Sequence, residues 1–181
     1  MNYMEIKKHD IANGVGVRVS LFVSGCRHKC KGCFNSEAWD FSSGNEFTNQ
    51  VFSQILELLA PNYINGLSIL GGEPFEKENA IVLTPYIKKI KEILPKKSIW
   101  AYSGFTYEEL INDDITKKML DNIDVLVDGK FILELKNPSL AFRGSSNQRI
   151  IDVKKSLKSG EIVLHHKNKE GMKQWKKEDL K

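Results

Sequence analysis

Residues 16–35 read "GVRVSLFVSGCRHKCKGCFN". The first half alternates and is rich in valine, which is the pattern of a β-strand. The second half is a polar loop that holds every cysteine of the chain, Cys26, Cys30 and Cys33, in the spacing CxxxCxxC. A strand therefore delivers three thiols together at its carboxyl end.

Working outward, residues 47–61 place Phe47, Val51, Ile55, Leu58 and Leu59 at helical spacing, with Thr48 to cap the helix and Pro61 to stop it. "GLSILGGEP" (66–74) is a short apolar strand running into a glycine turn. Residues 79–94 form a second amphipathic helix, with Pro85 near its first turns. A strand and turn follow over 98–105, short helices over 106–110 and 114–123, and a buried strand over 124–131. Strands alternating with helices predict an α/β fold with parallel strands. Chemistry in such folds collects at the carboxyl ends of the strands. The cysteine loop, "GGEP", "YSGF" and "DGK" all fall there.

At 181 residues and 41% apolar, the chain is sized for one core. Its N-terminus lacks the apolar run of a signal peptide, and no later run reaches the roughly 18 residues that cross a bilayer. An odd number of cysteines within so short a stretch does not make a disulfide framework and points to a reducing, cytoplasmic setting. The net charge of +4 is unevenly spread: from Lys154 on there are nine lysines and four acids, which leaves the body up to Val153 at −1. A near-neutral body lacks the distributed basic face of a nucleic-acid binder. Residues 154–181 read as a basic, flexible extension or an appended helix and strand, with "EIVLHH" (161–166) the candidate strand and Trp175 set among lysines.

Thiolates are soft ligands that select zinc, copper(I) or iron–sulfur clusters. A structural zinc site wants four protein ligands, usually from two separated pairs. Here only His28 inside the loop, or the distant His9, His165 and His166, could complete the set. The other reading is a 4Fe-4S cluster on three cysteines, with one iron left open for a ligand. Metal-free buried cysteines fit less well, because Arg27, His28, Lys29 and Lys31 make the loop polar.

CxxxCxxC followed by Phe34, with "GGEP" after a later strand, resembles the radical S-adenosylmethionine enzymes. With "WAYSGFTYEEL", "DVLVDGKF" and "LAFRGSSNQRIIDV" in order, residues 1–153 are similar to the activating proteins of anaerobic ribonucleoside-triphosphate reductases. The resemblance implies a partial, incomplete β/α barrel, a 4Fe-4S cluster on Cys26, Cys30 and Cys33, and S-adenosyl-L-methionine bound at the open iron. It also implies reductive cleavage of that cofactor and formation of a glycyl radical on the large reductase subunit, with an electron donor such as flavodoxin. By the same likeness Gly32, Cys33 and Phe34 meet the adenine, while Gly71, Gly72 and Glu73 meet the amino group. Ser103 meets the carboxylate or ribose, and Asp128 and Lys130 lie near the cofactor. "RGSSNQR" (143–149) lines the pocket or receives the reductase. His28, Lys29 and Lys31 are expected to face solvent, where the lysines suit an acidic donor. The extension after Val153 has no counterpart in the resemblance.

Overall fold

A computed structural model describes residues 1–165. Seven strands form one open, mixed sheet in the order β3-β1-β2-β4-β5-β6-β7. They are β1 (Asn2–Asp10), β2 (Val17–Val23), β3 (Asn45–Glu46), β4 (Ile64–Gly71), β5 (Ser98–Tyr102), β6 (Val125–Asp128) and β7 (Arg149–Asp152). The helices are α1 (Asn49–Leu59), α2 (Lys77–Ile93), α3 (Tyr107–Ile111), α4 (Asp114–Leu120) and α5 (Val153–Ser159). The four expected strands, β2, β4, β5 and β6, do pair in parallel at the centre. Their residues are almost continuously buried, as strands covered on both faces are.

The expectation of a wholly parallel sheet is corrected at both edges. β1 runs antiparallel to β2, and β7 antiparallel to β6. The connection between β1 and β2 is too short for a crossover helix, so the pair closes as a hairpin. β1 does not read as a strand because most of it is an edge: Lys7, Lys8 and His9 are exposed in succession, and its register with β2 shifts twice. Lysines and irregular register on an exposed edge discourage pairing with a second sheet.

One face of the sheet packs Val19, Leu21, Ile69, Ile99 and Leu126 against the helices. Thr48 caps α1 as expected by accepting from Val51 N, and α3 opens with a capping box between Thr106 and Glu109. The opposite face is smaller and partly polar. Trp100, Val125, Val127 and Ile150 cluster there, and Arg18 is buried beside them, donating to Ser68 Oγ at 2.7 Å and to the carbonyls of Leu67 and Ser98 at 2.8 Å. Burial lowers the Arg18 guanidinium to about 10. This half-covered face leads up to the site.

Residues 154–165, which the charge count assigns to the extension, join the body. Lys154 Nζ lies 2.6 Å from Asp124, Ser156 is buried, Ile162 packs on the core, and Leu164 bridges to Ile151 in place of the expected longer strand. His166, Trp175 and the other tail lysines lie outside the described residues. A chain ended at Val153 loses these contacts and is expected to be less stable by about 2–4 kcal/mol. Thermal denaturation of the truncated and full chains measures the difference, and an unchanged midpoint would show that α5 is dispensable.

Candidate iron–sulfur and cofactor site

At the carboxyl ends of β2, β4 and β5 lies a cleft of about 430 Å³. All three cysteines line it, each half-buried and free. Gly32, Phe34, Gly71, Gly72, Glu73 and Ser103 line it too, so the segments expected to meet do meet. Asp128 and Lys130 are not among its lining residues. Lys130 is exposed, whereas Asp128 is buried and turned to Arg149, which donates to it from Nε at 2.9 Å and from a terminal nitrogen. Arg149 also binds Glu108 through two nitrogens at 2.7 and 3.0 Å, and this holds the Glu108 carboxyl down to about 2. The strand-end charge pair is therefore Asp128–Arg149, not Asp128–Lys130.

The residues "RGSSNQR" divide between two tasks. Arg143, Gly144 and Gln148 line the cleft, with Arg143 donating to Gln148 O at 2.6 Å, while Arg149 serves the ion pair.

The glycine turn brings the two segments into contact. Gly72 N donates to Val23 O at 2.7 Å and Glu73 N to Gly25 O at 2.8 Å. A Cβ on Gly72 would sit 2.6 Å from Gly25 O, so a side chain there would push the turn away from the cysteine loop. Phe34 is 83% exposed on the cleft wall. It is not a core phenylalanine, which leaves an aromatic face open to a flat partner.

The donor set fits a cluster held by thiolates. Asn35 N donates to Cys33 Sγ at 3.4 Å, and the backbone amides of His28 and Lys29 near Cys26, and of Phe131 near Cys30, favour the thiolate form of those cysteines. Such hydrogen bonds stabilise and tune metal-bound thiolates. Burial pushes the Cys26 thiol up to about 11, so binding a metal must displace its proton. Among the described residues no three His, Cys, Asp or Glu side chains are grouped to hold a single metal ion. His28, the nearest candidate for a fourth zinc ligand, is turned to Glu73 at 3.0 Å, and His9 and His165 do not line the cleft.

Arg27 is a residue the sequence did not single out. It binds Glu76 and Glu78 at 2.6 Å each, fixing the start of the cysteine loop to the start of α2. Nothing in the spacing of these residues signals that pairing. Tyr102 and Trp39 also line the cleft, each with a buried polar atom, the hydroxyl and Nε1, that has no hydrogen-bond partner among the described residues.

The triplet of thiols on the loop after β2, in a cleft at the carboxyl ends of an α/β sheet, is a site that suits an iron–sulfur protein, and comparison with known families shows that class. The model of the 4Fe-4S single cluster domain family matches residues 12–151. An anaerobic ribonucleoside-triphosphate reductase-activating protein of Pasteurella multocida is 43% identical over 152 residues, covering 83% of this chain and 96% of its own. Its namesake in Escherichia coli K12 is 42% identical over 150 residues, 82% of this chain and 96% of its own. That of Enterobacteria phage T4 is 37% identical over 150 residues, 83% of this chain and 93% of its own. The chain belongs to the family of anaerobic ribonucleoside-triphosphate reductase-activating proteins.

Proposed function

We propose that the chain activates an anaerobic ribonucleoside-triphosphate reductase by a radical S-adenosylmethionine mechanism, and that its open sheet is the partial barrel of that class. The carrying observation is that Cys26, Cys30, Cys33, Phe34 and residues 71–73 face one cleft. The 4Fe-4S cluster, when bound with S-adenosyl-L-methionine, supplies a one-electron cleavage that yields a radical able to take hydrogen from a glycine of the reductase.

The chain's own part is to bind, orient and shield. Cys26, Cys30 and Cys33 would hold the cluster as thiolates and, being three, would leave a position on it for the cofactor. Phe34 offers its ring to the adenine, Gly32 and Cys33 their backbone. The backbone turn at Gly71 and Gly72 bounds the space for the amino group, and Ser103 lines the cleft beside it. Arg143 and Gln148 line the same cleft, where they would meet a glycine-bearing segment that enters it. An open sheet suits that entry, because a closed barrel would admit only small molecules.

The deciding experiment is anaerobic reconstitution with iron and sulfide, followed by reductant, S-adenosyl-L-methionine and the reductase. A glycyl-radical signal on the reductase supports the proposal; one zinc per chain with no cleavage of the cofactor would sink it. Phe34→Ala is expected to leave stability unchanged, since the ring is exposed, and to weaken cofactor binding by roughly 3- to 10-fold. Equilibrium binding to the loaded chain measures this.

Lys29 and Lys31 are exposed beside the cleft, and among the described residues only Lys31 has an ion-pair partner, Glu134 at 4.0 Å. They suit an acidic electron donor such as flavodoxin, in the cytoplasm where free thiols persist. Reversing both charges is expected to slow reduction by flavodoxin at low salt; an unchanged rate would place the donor elsewhere. No helix among the described residues is long and apolar enough to cross a membrane.

A further inference from the structure

His28 lies between the first two cysteines and was expected in solvent, yet its side chain is only 8% exposed. Its Nε2 is 3.0 Å from Glu73 Oε2, and because an ionised carboxylate only accepts, Nε2 carries the hydrogen. Its ring meets Phe105 edge to face at 4.4 Å between centroids. Room for it comes from Gly104, where a Cβ would stand 2.4 Å from the imidazole.

Glu73 is itself buried and fully engaged. Gly104 N donates to the same Oε2 at 2.6 Å, while Ser103 Oγ and Phe75 N donate to Oε1 at 2.9 Å. A carboxylate offers about four lone-pair sites, and four donors of this chain occupy them. The donors come from the cysteine loop, the turn after β4 and the turn after β5, so one side chain joins three strand ends.

The loop needs such a joint. Lys29, the next residue, has φ of 47°, a left-handed conformation that lysine rarely adopts, and Lys29, Lys31 and Gly32 are exposed. From Arg27 to Gly32 two side chains reach buried carboxylates beyond β4: Arg27, itself exposed, binds Glu76 at the start of the loop, and His28, its side chain buried, binds Glu73 between the first two cysteines.

We infer that His28 is a positioning residue, which latches the middle of the cysteine loop to Glu73 and so sets Cys26 and Cys30 for the cluster. Glu73 then acts as the joint, and its carboxylate is not the acceptor for the ligand's ammonium group. The inference rests on the reading of the loop as a cluster site, but the latch is built from this chain's own side chains, so metal-free protein can test it.

Hydrogen exchange of residues 26–33 in metal-free protein is the first readout. His28→Ala is expected to speed exchange by about 10-fold or more, with exchange in β4 and β5 unchanged. His28→Gln, whose amide can still donate to Glu73, is expected to recover most of the protection. After anaerobic reconstitution, His28→Ala should hold less than half the wild-type iron, while its loaded fraction binds S-adenosyl-L-methionine as wild type does. Glu73→Gln, which sets an NH₂ against these donors, should likewise lower iron content and not the affinity of the loaded fraction.

Wild-type exchange and iron content in His28→Ala would overturn the latch. So would a loss of cofactor affinity in Glu73→Gln or His28→Ala with exchange and iron intact, since these side chains would then be ligand contacts. If the wild-type chain instead takes up zinc and cleaves no cofactor, the proposed function fails while the exchange result still decides the latch.

Discussion

Cys30→Ala is expected to leave a folded chain that cannot hold an intact 4Fe-4S cluster and activates the reductase more than roughly 100-fold less than wild type. Cys30 is half-buried and belongs to neither hydrophobic cluster, so its loss removes a ligand and little packing. The metal-free variant should therefore melt within about 2 °C of the metal-free wild type. Iron and sulfide per chain, together with the glycyl-radical signal on the reductase, measure the effect. A variant that activates normally would remove the cysteine loop from the mechanism. Cys26→Ala and Cys33→Ala should behave alike, because three ligands leave no reserve.

Asp128→Ala should have the opposite profile, a large loss of stability. Its buried carboxylate accepts from Arg149 through two nitrogens and from Tyr107 N at 2.8 Å, and Arg149 continues to Glu108. Removing it leaves a partly buried guanidinium and the first amide of α3 without their acceptor, a cost of about 3 kcal/mol. For a chain of this size that lowers the melting midpoint by roughly 6–12 °C. Lys130→Ala, at an exposed position, should not move it. Calorimetry on metal-free protein separates the two. If Asp128→Ala melts like wild type but binds the cofactor poorly, Asp128 is a ligand contact after all.

Acid should weaken the same network. The Glu108 carboxyl is depressed to about 2 by Arg149, so its contribution is complete above the unfolded value and fades as the pH falls from about 5 toward 2. Half-exposed, Glu108 contributes modestly.

The sequence by itself determined the parallel centre of the sheet, because valine-rich and apolar strand segments alternate with helical ones, and a helix between two strands lets the chain cross back and pair them in parallel. It also determined the cysteine loop, since thiolates on a short polar loop have few uses and CxxxCxxC is visible without any fold. The placing of Gly71, Gly72, Glu73 and Phe34 in one cleft followed from the rule that ligands gather at strand ends.

What only the tertiary structure decided were the edges and the pairings. β1 is half solvent-facing and its lysines conceal a strand, because an edge has no second buried face to impose a pattern. The partners of His28, Arg27 and Asp128 lie 45, 49 and 21 positions away. No local spacing encodes contacts at that separation, which arise where the chain crosses from one strand end to the next. For that reason the loop could be read as a set of ligands from its residues alone, whereas the means of holding it in place appears only when the ends of β2, β4 and β5 come together.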